Sequence, residues 1–398
     1  MRAVVVGAGK IGCGFAGQIL AASGYETVFI THDPVLVDHL NRVQGYQVSL
    51  AGVKENLVVT VDGIRAVPAS DYDRVVREMS QADLIITAVG ACNLPLVAPW
   101  IGTALRLRKK PINILAFENL TNAGYYLRLR VGSLLSYHFD LHAHGFSGAV
   151  IHRAVTQRSG DPHSDVPLIF VGDVPATFIV EGPSLRPPFP ELKGMLTVED
   201  LNPWMQRKLY IYSAGHAMTA YLGFLKGYHY IHTAIRDPEI RADVLAAMVE
   251  GQRGLSARYG PEATDPESDL LEIIARFENA ALNDPLDRVG RDPQRKLGAQ
   301  DRLVGAARLA QSAGVQPQKL ALGAAAALLF NNPKDASAQE LQREIRTNGL
   351  VPALERISRL DTRIDPGHLV VEIWNQLAAG WRKDNLLLSL DRFQWAWR

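Results

Sequence analysis

A chain of 398 residues is too long for one ordinary hydrophobic core, so two or three domains are expected. Its 47% apolar and 21% charged residues exclude a disordered or fibrous chain. With 42 basic and 41 acidic residues the net charge of +1 excludes a general electrostatic footprint for nucleic acid or an anionic membrane, so neither is an expected partner.

Cys13 and Cys92 are the only cysteines, too few for a disulfide framework, and no stretch approaches the roughly 18 consecutive apolar residues of a membrane span. The opening "MRAVVVGAG" reads as a strand, where a signal peptide needs a longer apolar run and a cleavage site. The expected location is a reducing cytoplasm.

The strand leads into a glycine-rich turn, a helix and a second strand within about 30 residues, the length of one βαβ unit. Gly7, Gly9 and Gly12 form GxGxxG directly after the strand, with Lys10 and Ile11 inside the turn. Gly7 permits the tight turn, Gly9 lets the backbone approach a pyrophosphate, and Gly12 lets helix and strand pack closely. The phosphates then sit on the helix N-terminus.

The second strand, "TVFIT", is expected to end in a carboxylate for the ribose 2′-hydroxyl of NAD, but that place is held by Thr31, followed by His32 and Asp33. Loss of the carboxylate removes repulsion against a 2′-phosphate, and His32 or Arg42 offers positive charge. Asp33, displaced by two residues, is the alternative ribose ligand. NAD and NADP both stay open.

"ADLIITAVG" reads as a buried strand ending at Val89 and Gly90, and "INILAFENLTNAG" as another opening into a polar loop. Ligands gather at the carboxyl ends of strands in a doubly wound sheet, which places Glu118, Asn119 and Asn122 where nicotinamide and substrate meet. Residues 133 to 195 read as finishing strands, with the Pro-rich "EGPSLRPPFPELKG" as a linker or cover loop at the boundary. His138, His142, His144 and His152 lie close in sequence, but no cysteine or carboxylate pair accompanies them, and no metal is expected.

From about residue 196 the pattern turns helical, with apolar residues at three and four spacing in stretches such as "DPEIRADVLAAMVEGQRGLSARYG" and "SAQELQREIRTNGLVPALERISRL". The first of these helices, "RKLYIYSAGHAMTAYLG", carries three polar residues into an apolar run. On an ideal helix Ser213 lies about 140° and His216 about 80° around from Lys208, with His216 about 12 Å along. Further on, "DRVGRDPQRKLGAQDRL" holds Arg288, Arg291, Arg295, Lys296 and Arg302 against three aspartates. It reads either as a solvated loop with internal ion pairs or as a fork of guanidiniums clamping a phosphate.

"GAGKIGCGFAG", "TAVG", "ENLTN" and above all the two last stretches together resemble the polyol-specific long-chain dehydrogenases, most closely their mannitol-1-phosphate 5-dehydrogenase branch. The resemblance covers nearly the whole chain. It implies an α/β fold, with an N-terminal Rossmann-type doubly wound sheet over residues 1–195 and a mostly α-helical substrate domain over 196–398. It also implies an NAD- or NADP-dependent, metal-independent interconversion of a secondary alcohol and a ketone on a phosphorylated polyol, mannitol 1-phosphate to fructose 6-phosphate being the reference case. The partners are then small molecules only, and the chain is a monomer or a small homo-oligomer.

The family helix has the pattern Lys-x4-Asn-x2-His. Carried over, Lys208 is the general base, His216 positions the substrate oxygen and Asn119 lies near the nicotinamide. Lysine in an apolar cleft has its pKa lowered towards neutrality, where it accepts a proton. Asn122, His152, Arg153, Arg288, Arg291, Arg295 and Lys296 are the substrate-binding candidates. Two departures stand out: Ser213 replaces the family asparagine, and "IHR" places His152 where relatives carry aspartate before the retained Arg153. These departures are what a related dehydrogenase for another sugar- or nucleoside-derived alcohol, or a cofactor-binding homologue without catalysis, would also show.

Overall fold

The computed structural model describes residues 1–52, 56–261 and 267–387. They divide into two compact units, Met1–Met205 and Gln206–Arg398, each with its own core.

In the first unit the short apolar runs form strands: β1 (Arg2–Val6), β2 (Glu26–Thr31), β3 (Gly45–Ala51), β4 (Asn56–Asp62), β5 (Ile64–Pro68), β6 (Leu84–Thr87), β7 (Asn113–Ala116), β8 (Gly145–Ile151), β9 (Val155–Ser159), β10 (Ile169–Asp173), β11 (Phe178–Glu181) and β12 (Met195–Val198). Eight make one sheet in the order β12-β11-β8-β7-β6-β1-β2-β5, parallel except where β11 meets β8. β6 and β7 are buried along their whole length, as strands covered on both faces must be. β1 alternates between two cores, Ala3 and Val5 on one face, Val4 and Val6 on the other. The chain leaves β1 towards β2 on one side and β6 on the other, a topological switch that opens a crevice at the strands' carboxyl ends.

The finishing strands form as expected, but β9 and β10 join β3 and β4 in a second sheet, β4-β3-β10-β9. Tyr46 on β3 ties that sheet to its surroundings: its ring meets Phe29 of β2 and Phe170 of β10 with centroids 6.1 and 5.3 Å apart, and its hydroxyl donates to the Cys13 carbonyl in the helical segment after the glycine turn at 2.8 Å. The Pro-rich stretch, expected to be a linker or a cover loop, is fastened to the large sheet as a cover loop would be. Asn113 on β7 donates to the carbonyls of Arg186 and Pro188 and accepts the Arg186 N–H, and Leu185 is buried. β12 then pairs with β11, so the first unit runs past residue 195 to Met205.

The second unit is helical. Helix Ala214–Leu225 lies at its centre, nearly all of it buried, against helices Pro238–Tyr259 and Gln318–Leu328. Ala321 and Ala324 to Ala327 are buried on Gln318–Leu328, and such small side chains let helix axes approach closely. The stretch from Ser337 to Leu360 is two helices, Ala336–Asn348 and Leu350–Ser358, broken at Gly349, whose φ of +87° a helix cannot continue.

Candidate active site

In the first unit the glycine turn borders a cavity of about 640 Å³ at the carboxyl ends of β1, β2 and β6. Gly7 (φ +103°) and Gly9 line it, with Thr31, His32 and Val89. A Cβ on Gly7 would lie 2.4 Å from the Ala88 carbonyl oxygen, and one on Gly12 would lie 1.8 Å from that of Gly7, so the turn closes only with glycine there. A Cβ on Gly9 meets nothing within 4 Å, which leaves its backbone open to a phosphate. These features fit a dinucleotide.

The other expected cofactor residues do not line this cavity. Lys10 Nζ donates to the Thr156 carbonyl, fastening the turn to β9. Ile11 packs against the core, and Gly12 sits buried beneath Gly7. Gly90 gives its N–H, with that of Val89, to the buried carboxylate of Glu118 at 2.8 and 2.9 Å. Burial raises the Glu118 pKa, these donors opposing it, and the carboxylate acts as a clamp on the β6 turn. Asn119 is exposed, and Asn122, in the left-handed region at φ +56°, starts helix Ala123–Gly132. Asp33 does line the cavity: its Oδ1 accepts the Val35 and Leu36 N–H groups as the cap of helix Pro34–Val43, and its second oxygen stays a candidate ribose acceptor. Arg42 does not line the cavity; it pairs with Asp165 at 2.7 Å and donates to the Pro162 and Ser164 carbonyls.

Two expected substrate contacts of this unit stand differently. His152 is half-buried just past β8. Arg153 is buried and spent on the fold, donating to the carbonyls of Gly14, Val174 and Pro175 and to the Gln18 side chain, its guanidinium 5.2 Å from the Phe15 ring centroid. That corrects its reading as a substrate ligand. The histidines do not converge: His138 is exposed, His142 bonds Arg128, and His144 stacks on Phe139. Among the described residues no group of three His, Cys, Asp or Glu is placed to hold a metal ion.

In the second unit Lys208 opens a π-helical turn, Lys208–Ser213, set between helices Asn202–Arg207 and Ala214–Leu225. Such wide turns concentrate at functional sites, and the angles of an ideal helix do not hold across it. Burial, and then the positive charges of Arg302 and Arg276, push the Lys208 pKa down to about 8. Ser213 is buried at the turn's end.

His216, one helical turn on, stacks on Phe277 with centroids 4.9 Å apart, and its Nε2 lies 3.2 Å from Asp284 Oδ2. Asp284 also takes a bidentate pair from Arg288, both bonds 2.5 Å. Burial alone would raise the Asp284 pKa, but the bonds from His216 and Arg288 hold it at about 2, so it stays ionised. Burial lowers the His216 pKa against the pull of Asp284, so the imidazole is neutral near pH 7. With Nε2–H donated to the carboxylate, Nδ1 is left as an acceptor.

The basic segment is folded back over helix Ala214–Leu225 by two hydroxyls: Tyr221 donates to the Gly290 carbonyl at 2.8 Å and Tyr210 to that of Gln300 at 3.2 Å. It is not a fork of free guanidiniums. Arg295 is taken by Asp292 and Asp301 at 2.8 and 3.3 Å, and Arg291 is exposed, contributing its carbonyl to Lys296. Lys296 is buried, and burial with the charges of Arg302 and Arg295 lowers its pKa to about 6. Arg302 is buried beside it, bonded to Asp301 at 2.7 Å, with Nη2 lacking a partner among the described residues. Its charge is felt by Lys208, His216 and Lys296 alike and disfavours a proton on each of them. Asp284 is the member that sequence reasoning missed. Its one signal is the four-residue spacing to Arg288, which pairs opposite charges on a helical turn.

Residues 1–181 match the model of the mannitol dehydrogenase Rossmann domain and residues 200–376 that of the mannitol dehydrogenase C-terminal domain. Among curated relatives, the mannitol-1-phosphate 5-dehydrogenase of Thermoanaerobacter pseudethanolicus is 33% identical, over 96% of this chain and all of its own. That of Oceanobacillus iheyensis is 36% identical over 90% of this chain and 94% of its own. Among solved structures, Pseudomonas fluorescens mannitol 2-dehydrogenase, in a ternary complex with NAD and D-mannitol, superposes with a TM-score of 0.80 at 18% identity, covering 98% of this chain and 93% of that one. A substrate-free D-sorbitol dehydrogenase follows at 0.73 and 17%, covering 96% and 93%; these two likenesses concern the fold. Domain models end to end and identity above 30% over nearly the full length place the chain in the mannitol dehydrogenase family of nicotinamide-dependent oxidoreductases.

Proposed function

We propose that the chain interconverts mannitol 1-phosphate and fructose 6-phosphate, in the cytoplasm and without a metal, with Lys208 as general base. The observation that carries this reading is Lys208 itself, a half-buried lysine at a π-turn whose pKa is lowered to about 8, on the helical run that also carries an ordered histidine. The name shared by the curated relatives supplies the substrate.

A nicotinamide dinucleotide held at Gly7 and Gly9 would supply the acceptor for the hydride of the carbinol C–H bond. Lys208 Nζ, unprotonated, takes the hydroxyl proton as that C–H bond breaks. In the reverse direction the ammonium supplies both the proton and the positive charge that stabilises the developing alkoxide. His216, held by Asp284, keeps a fixed acceptor at Nδ1 that orients the substrate hydroxyl. Ser213 offers one hydroxyl in place of the family amide. In the first unit Gly7 and Gly9 receive the pyrophosphate, with Asn119 as the candidate near the nicotinamide. For the phosphate, Arg302, whose Nη2 lacks a partner among the described residues, replaces the expected arginine fork, because Arg295 and two nitrogens of Arg288 are neutralised by aspartates.

The test is oxidation of NADH or NADPH by the purified chain with fructose 6-phosphate beside fructose, followed by loss of the reduced nicotinamide's absorbance. Oxidation that requires the phosphate is expected. Equal rates with both sugars would remove the phosphate from the reading, and oxidation by neither would overturn the substrate.

A further inference from the structure

The dinucleotide cavity has one more charged side chain on its wall. Arg158, on β9 of the second sheet, lines the cavity that Thr31, His32 and Asp33 border at the end of β2. It is exposed and makes no ion pair or side-chain hydrogen bond among the described residues. The wall therefore presents a guanidinium with its donors unspent, at the place where a dinucleotide-binding sheet distinguishes a ribose 2′-hydroxyl from a 2′-phosphate.

The neighbours point the same way. A carboxylate at the end of β2 would accept the 2′-hydroxyl and repel a phosphate, but that position is Thr31, a neutral side chain already accepting the Asp33 N–H at 3.3 Å. Asp33 borders the cavity as well, but its Oδ1 is bonded to the Val35 and Leu36 N–H groups and its charge is opposed by the N-terminus of helix Pro34–Val43. His32 adds a ring that can donate to a phosphate oxygen, whereas Arg42 is held away by Asp165.

We propose that Arg158, with Thr31 and His32, makes this cavity a 2′-phosphate site, so that the chain takes NADP(H) in preference to NAD(H). The inference rests on reading the cavity as the dinucleotide site. Its specificity comes from a strand of the second sheet, outside the βαβ unit that carries GxGxxG. Planar guanidinium donors suit phosphate, and a charge-assisted pair of this kind is worth roughly tenfold or more in affinity.

The experiment is calorimetric titration of the full chain with 2′,5′-ADP and with 5′-ADP, which needs no substrate and no turnover. Tighter binding of 2′,5′-ADP is expected, by about tenfold. Arg158→Ala should collapse that preference, Arg158→Lys should keep part of it, and Thr31→Asp should reverse it. Equal or weaker binding of 2′,5′-ADP overturns the proposal while 5′-ADP binding keeps the dinucleotide site. An unchanged preference in Arg158→Ala overturns it as well. Binding of neither nucleotide overturns the reading of the cavity itself.

Discussion

His216 Nε2 lies 3.2 Å from Asp284 Oδ2, and the same carboxylate is gripped by Arg288, so one buried anion orders both an imidazole and a guanidinium. Asp284→Asn should lower turnover about tenfold or more, through loss of His216 orientation. It should also cost about 2–4 kcal/mol of stability, less than a fully buried pair because the Arg288 side chain is 31% exposed. Steady-state kinetics with a denaturant melt would show both; full turnover in a folded variant would remove Asp284 from the mechanism. Its folded pKa of about 2 lies below the unfolded carboxylate value, so its contribution is complete above about pH 5 and is lost as the pH falls towards 2.

Alcohol oxidation should rise with pH along a limb near pH 8, the point at which Lys208 becomes a base. Burial sets most of that value and Arg302 adds to it, so Arg302→Met should move the limb to higher pH. A limb that stays in place would mean another group titrates.

Lys208→Met should cut turnover by about 10² or more while dinucleotide binding persists. The same change should raise the melting temperature at pH 7. A lysine whose folded pKa lies below its unfolded value costs stability while the solution is acidic enough to protonate it, and the cost fades as pH rises from about 8 towards 10.5. The stability gain of the variant should therefore shrink over that window, and a gain independent of pH would refute the cause.

Gly12→Ala and Gly9→Ala separate folding from binding in the glycine turn. At Gly12 the added methyl would lie 1.8 Å from a backbone oxygen, so both the melting temperature and nucleotide affinity should fall. At Gly9 there is open space, so stability should hold while affinity for 5′-ADP drops. Equal stability losses would contradict the assignment of the two positions.

Arg153→Ala should act on the fold. Removing a buried guanidinium leaves the Gly14, Val174 and Pro175 carbonyls short of donors, a loss of about 3 kcal/mol or more. The Michaelis constant for the sugar phosphate, measured on the folded fraction, should barely move; a large rise would restore Arg153 to the substrate site.

What was legible in the sequence was local. The GxGxxG turn has a fixed conformation that only glycine supplies, and the apolar runs of β1, β6 and β7 have the length and composition of buried parallel strands, so cofactor class and sheet type could be read directly. Lys208, Ser213 and His216 lie within one helical run, which the sequence showed, but the π-turn that alters the angles between them did not show in sequence spacing. What depended on residues far apart in the chain only the tertiary structure decided. Asp284 lies 68 residues after His216, and Arg158 comes to the cavity of Thr31 on a strand of a second sheet that no local pattern announced. The basic segment shows the same division: its charge was plain, but which cations stay unpaired depended on the aspartates that folding placed beside them. Backbone conformation is set by neighbours along the chain, whereas the partner of a charge is set by packing.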